Sequence, residues 1–275
     1  MTDDDLQRIR ASSGWRMQRI EVVHGTSVGT VLVKGQREAR GPWRYRVLNG
    51  VARGVGLPLL RAAPAPGGAA SQRIEVDRLR ALAAAGAFVP QVLHVDEQFF
   101  VMSYLDGPLL SGLLHAGDEQ ARLWWQRGVV ALADVHARGQ YLSQAFTRNC
   151  IGVGERVAVF DVEDDPLQVM SLAQAQARDW LAYVYTSAMT PPAPDETMAA
   201  GLRAPLLAAS PAVREQLHIA ARLLGRWLPS GRRDAARGWR RYLVMLQCTR
   251  QVLMQALPPS ASIDHITETH HARHH

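Results

Sequence analysis

Apolar and polar positions alternate through the first third of the chain and recur every three to four residues beyond it. Gln18-Arg-Ile-Glu-Val-Val-His24 and Gly29-Thr-Val-Leu-Val-Lys34 read as two strands around a Gly25-Thr-Ser27 turn. Lys34 ends the second strand, just before Gly35. Residues 42–56 read as a helix with Trp43, Val47, Leu48 and Val51 on one stripe, and Leu57-Pro-Leu-Leu-Arg61 as a further short strand. The Pro- and Gly-rich stretch from Ala62 to Ala70 is a predicted loop. A helix is predicted from Ser71 to Ala85, with Ile74, Leu79 and Leu82 inward, Glu75 in its first two turns and a stop at Gly86. Val92–Val95 and Phe99–Tyr104 read as two strands joined by Asp96-Glu-Gln98, and Asp106-Gly-Pro108 closes this β-rich half.

The helical period then takes over. Asp118 to Arg138 is a predicted long helix with Leu123, Trp124, Val130, Leu132 and Val135 as its buried side, ended by Gly139. Trp124-Trp125 reads as core on one side and interface on the other, and Asp134 and Asp179 as solvated helix faces. A loop from Gln140 to Asn149 leads to the strands Cys150–Val153 and Val157–Phe160 around Gly154-Glu155, with Asp161 directly after. From Pro166 to Leu257 the pattern is helical, interrupted at Thr190–Pro194 and Pro229–Gly231. The expectation is an α+β, bilobal fold. Residues 15–105 form a small β-rich N-terminal lobe, 106–260 a helical C-terminal lobe and 261–275 a polar, histidine-containing tail, with a cleft between the lobes.

Composition narrows the picture. A chain of 275 residues, 47% apolar and 20% charged, is long enough for a full core and ordinary for a soluble globular protein. The formal charge of +6 favours anionic partners, although an arginine excess also arises without function from GC-rich coding. Of the 31 basic residues Lys34 is the only lysine, and an ammonium on a flexible stem does things that a planar guanidinium cannot. Two well-separated cysteines, Cys150 and Cys248, read as free thiols in a reducing cytoplasm. The acidic start without an apolar stretch and the lack of a run of about 18 apolar residues also point to the cytoplasm. Walker A, Gly-x-Ser-x-Gly and His-Glu-x-x-His motifs are absent, which leaves serine hydrolases and zinc proteases without footing. The tail histidines are not expected to hold a physiological metal.

Phosphoryl transfer from a nucleotide needs a cation on the phosphates, a carboxylate to fix that cation, oxygen ligands for Mg²⁺ and a group to orient the attacking hydroxyl. Lys34 and Glu75 fit the first two roles. Asn149 before one short strand and Asp161 after the next, 12 residues on, fit the metal ligands. The stretch from Leu132 to Ile151, with His136, Gly139 and Asn149, and the later Phe160-Asp161-Val-Glu163, resemble the catalytic loop and aspartate motif of the kinase-like superfamily. The resemblance covers residues 17 to 180. It is nearest to the bacterial branch that includes lipopolysaccharide core heptose kinases and keto-deoxy-octulosonate kinases, in which the loop runs His-x-x-Gly-x-x-His-x-Asp-x-x-x-x-Asn. It implies that Lys34 holds nucleotide phosphates, Glu75 positions Lys34, and Asn149 and Asp161 hold Mg²⁺. Met102-Ser103-Tyr104-Leu105 becomes the hinge that meets adenine through backbone groups, with Ser103 and Leu105 in that role.

The chain departs from the family where it matters most. Leu142 stands in place of the loop histidine and Gln144 in place of the catalytic aspartate; glutamine accepts a hydrogen bond but is no base near neutral pH. The glycine-rich loop, His24 to Thr30, has only two glycines, residues 36–70 form a long insertion, and Arg61 competes with Lys34 for the cationic role. Asp164 or Asp165 is a conceivable substitute base, though Asp164-Asp-Pro166 reads better as a helix cap. Three readings follow. The first is an atypical ATP- and Mg²⁺-dependent phosphotransferase acting on a hydroxyl of a lipopolysaccharide-core sugar or another small acceptor, with Gln144 orienting it at the inner membrane face. The second is a pseudokinase that keeps the fold and serves as a nucleotide-binding or regulatory module. The third is a basic membrane-surface or nucleic-acid-binding protein, for which Trp43-Arg-Tyr-Arg46 and Trp239-Arg-Arg-Tyr242 pair aromatics with arginines; of its two partners, nucleic acid is the less expected.

Overall fold

The computed structural model describes residues 1–38, 42–188, 195–227 and 239–259. The breaks expected at 190–194 and 229–231, and the tail from residue 260, lie outside them. The architecture is α+β, a small antiparallel sheet followed by a helical half. Strands β1 (Ile20–Thr26), β2 (Gly29–Gly35), β3 (Val92–Val95) and β4 (Phe99–Ser103) run in the order β1-β2-β4-β3.

Side-chain alternation assigns the faces of this sheet. Val31 and Val33 of β2 and Phe99 and Val101 of β4 pack with Ile9 and Trp15. Those two come from α1 (Asp3–Ala11), which precedes the expected lobe boundary at residue 15, and α2 (Gly14–Gln18), which straddles it; together they cover the outer face. The capping box of α1, in which Thr2 and Asp5 exchange bonds, also reaches the β1–β2 turn: Asp5 Oδ2 accepts from the Ser27 hydroxyl at 2.6 Å and its amide at 3.1 Å. The intervening residues Phe100 and Met102 face the main core, with Leu32 packed against it. By the same period of two, Lys34 points to that inner side, towards the helical half.

The insertion forms α3 (Pro42–Val55) and then a 3₁₀ turn, Pro58–Leu60, where a strand was expected. Proline fixes φ and has no N–H for a ladder, while Leu57 and Leu59 are anchored in the core, so the segment curls. On α3, Trp43 and Val47 of the expected apolar stripe are exposed, and Ala52 is buried. Helix α4 (Gly68–Ala84) starts three residues before the expected serine; the Ser71 hydroxyl accepts from the Gly67 amide at 2.9 Å. It buries Glu75, Val76, Leu79 and Leu82, whereas Ile74 is only half-buried.

In the helical half, α5 (Leu110–His115) leads to α6 (Glu119–Ala137), capped by Asp118. Its buried side is Ala121, Trp125, Gly128, Val129, Leu132 and Val135. Leu123 (38% exposed) and Val130 (65%) lie outside it and line an open groove of about 450 Å³ with Phe88, Val157 and Val159. Small residues decide the packed face: a Cβ on Gly128 would sit 2.1 Å from the Tyr183 hydroxyl, which donates to Trp125 O at 2.7 Å. The hairpin β5 (Cys150–Val153) and β6 (Arg156–Val159) follows, then α7 (Leu172–Ser187), α8 (Asp195–Ala208), α9 (Pro211–Trp227) and α10 (Trp239–Ala256). The connection between the halves is stitched to β5, because Gly152 N donates to Pro108 O at 2.9 Å and Leu109 bridges Ile151. Both cysteines are buried and in no disulfide, and among the described residues no helix is long and apolar enough to cross a membrane.

Candidate functional site

Where the sheet meets the helical half, Lys34 Nζ donates to Glu75 Oε1 at 2.6 Å and to Asp161 Oδ1 at 2.8 Å, and lies 3.0 Å from Glu163 Oε1. The ammonium has three donors, and three carboxylates surround it. Glu75 comes from the buried side of α4, one turn past Ser71. Asp161 and Glu163 come from the extended segment after β6, which Phe160 N ties to Asn149 O at 3.0 Å. Glu163 is further held by Arg19 Nη2 and Arg37 Nη1. The carboxyl oxygens of Glu75, Asp161 and Glu163 converge as a metal-binding group would, but the centre they surround is filled by the ammonium.

Burial disfavours charge on Lys34, yet Glu75, Asp161 and Glu163 together outweigh it and hold the ammonium well above its ordinary value. Burial lifts Glu75 to about 7 against the opposing pull of Lys34. For Glu163 burial also pushes upward, but Lys34 and Arg19 prevail and keep it ionised below the usual carboxylate range. Glu75 is thus the member of the cluster that takes up a proton near neutrality.

The loop from Gln140 to Asn149 hangs on α7. Asp179 is fully buried, and its Oδ2 accepts from Leu142 N at 2.7 Å and lies 3.2 Å from His136 Nε2. The expectation of a solvated Asp179 is therefore corrected; Asp134, by contrast, is exposed and pairs with Arg138. Gln176 Nε2 adds bonds to His136 O and Gln140 O. Within the loop, the Asn149 amide donates to Gln144 O at 3.2 Å, which leaves its carbonyl oxygen as the atom able to meet a cation. The Gln144 side chain donates to Asp164 Oδ2 at 2.7 Å. Burial raises Asp164 above the ordinary range, opposed by Arg178 and by that bond. Asp165 is the residue that caps, accepting from Leu167 N in the 3₁₀ turn Pro166–Gln168.

Other expected participants stand apart. Ile20 pairs with Lys34 in the β1–β2 register and Thr26 with Gly29, so the Gly25–Gly29 turn lies about 16 Å along β2 from Lys34, at roughly 3.3 Å per residue. That turn cannot close over anything Lys34 holds; beside Lys34 stands Ile20, and Arg19 O accepts from Gly35 N at 2.7 Å. Arg61 reaches Val169 O at 3.4 Å and takes no part in the cluster. Ser103 has its amide bonded to Gln91 O and its hydroxyl to Gln91 N, both at 2.9 Å, so its N–H is not free for a ligand. Its side chain and half-buried Leu105 border a cavity of about 300 Å³ with Ala87, Phe88 and Arg156.

Arg19, Ser143 and Asp161, at φ 67°, 68° and 64°, are the non-glycine residues in the left-handed region among the described ones. Arg19 and Asp161 belong to the charge cluster, and Ser143 to the loop that carries Gln144. Each conformation costs on the order of 1 kcal/mol, and such strain concentrates where geometry is functional. No family model matches the chain, and no curated protein is detectably similar to it. Sequence reasoning did not assign roles to Glu163, Arg19 or Arg37; a glutamate two residues after Asp161, inside the quoted motif, was the one available signal.

Proposed function

We propose that the cleft at Lys34 is a nucleotide-binding site of kinase-like type, and that the chain acts as a pseudokinase-like, nucleotide-responsive module. The observation that carries this reading is the buried Lys34–Glu75 pair with Asp161 on the same ammonium, beside a loop whose Asn149 side chain keeps its Oδ1 for a ligand. The residues fit the group. Lys34 would hold phosphates after exchanging a carboxylate for them, and Asn149 and Asp161 would hold Mg²⁺, which neutralises phosphate charge when bound. Gln144, in the position of the base, cannot take up a proton near neutral pH, and the turn preceding β2 is too distant to cover phosphates. Both weigh against efficient transfer.

A second reading rests on the Gln144–Asp164 bond. A carboxylate pushed upward by burial and held beside Gln144 supplies a base one residue removed, and transfer to a hydroxyl of a sugar or other small acceptor would use it. Calorimetric titration of ATP, with and without Mg²⁺, into the wild type, Lys34→Ala and Asp161→Ala tests the main reading. Mg²⁺-dependent binding lost in both variants supports it. A folded wild type that binds no ATP removes it.

A further inference from the structure

Three cations from separate segments converge on one carboxylate. Lys34 comes from β2, Arg19 from the left-handed residue that ends α2, and Arg37 from the coil beyond β2; Lys34 and Arg19 share Glu163 Oε1 while Arg37 takes Oε2. The Lys34 side chain is 4% exposed, that of Glu163 7% and that of Arg37 11%. Donors exceed what one carboxylate accepts. Arg19 Nε and Arg37 Nη2 are buried without a partner among the described residues. The cavity alongside is about 10 Å³, room for one water at most, so no anion fits next to Glu163 and one must replace it. Glu163 lies in residues 160–165, which belong to no helix or strand, so it can swing out without breaking an element.

A phosphate group brings three oxygens and more than one charge to guanidinium forks, and so matches this donor set better than a carboxylate does. We propose that Arg19, Lys34 and Arg37 form a nest for the terminal phosphates of a polyphosphate, with Glu163 as the internal anion that occupies it until ligand displaces it. This deepens the nucleotide-binding reading and rests on it. It assigns phosphate contact to Arg19 and Arg37, the first of which shares Glu163 Oε1 with Lys34 and has its carbonyl bonded to Gly35 N.

The test titrates inorganic tripolyphosphate and, separately, ATP into the wild type, Glu163→Gln, and Glu163→Gln combined with Arg37→Ala, each checked for folding by circular dichroism. Glu163→Gln should bind tripolyphosphate at least tenfold tighter than the wild type, and adding Arg37→Ala should remove the gain. Unchanged or weaker affinity in folded Glu163→Gln, with ATP still bound by the wild type, overturns the nest and leaves the nucleotide reading standing. Tighter tripolyphosphate binding without ATP binding in any protein keeps the nest and sinks the nucleotide reading. Should Glu163→Gln not fold, Glu163→Asp keeps the charge but shortens its reach; a gain of a few-fold is expected, and no gain overturns the nest.

Discussion

At Lys34 a single ammonium meets three carboxylates, and the least comfortable of them is Glu75. In the unfolded chain Glu75 titrates near 4.5; in the fold, burial lifts it to about 7. Between those values the folded state keeps a proton that the unfolded state has released, so stability falls as pH rises through that window. The raised Lys34 contributes in full below its ordinary 10.5, and the depressed Glu163 has delivered its share by about pH 4.5, so neither opposes the trend. At about 1.36 kcal/mol per pKa unit the loss is on the order of 3 kcal/mol. Urea unfolding at pH 5 and pH 7.5 should show the wild type losing that much relative to Glu75→Gln; parallel behaviour of the two proteins would sink the argument. Lys34 was legible as the only lysine, at the end of a strand, and Glu75 as the glutamate in the first two turns of the next predicted helix. Arg19 and Arg37 were not, since a chain with 30 arginines gives no local sign of which ones converge.

Among elements, α7 does most to shape the loop, through Asp179 at Leu142, Gln176 at Gln140 and Thr186 at Thr147. Asp179→Ala leaves the buried Leu142 N–H without an acceptor and His136 without its carboxylate, and should cost about 2–4 kcal/mol in urea unfolding. Asp134→Ala, which removes an exposed pair with Arg138, should cost about 1 kcal/mol or less. Equal effects would show that Asp179 does not anchor the loop. The strands, the hairpin and the long helices were readable from periodicity. The packed face of α6 was not, because counting large apolar residues overlooks Ala121 and Gly128, whose smallness lets Tyr183 approach. Helices α1 and α2 were missed for a related reason: Ile9 and Trp15 are isolated apolar positions whose meaning depends on a sheet assembled later in the chain.

Across the whole molecule, the sheet half and the helical half meet at a cluster in which every strong charge is answered by another. Tyr104 to Leu109 join the halves and are fastened to β5, so separating the halves there means parting the ions around Lys34 rather than flexing a free strap. Because the chain has one lysine, that event has its own chemical signature. Amine-acylating reagents find no reactive side chain on the closed protein, and a lysine-specific endoprotease has a single bond to cut, Lys34–Gly35, held inside a paired strand. Acylation therefore times exposure of the ammonium, and cleavage times release of the paired strand, as exchange does for a buried amide. Polyphosphate that takes the place of Glu163 should slow both reactions while the far-UV spectrum stays constant; rates indifferent to it would mean that ligand never reaches the lysine.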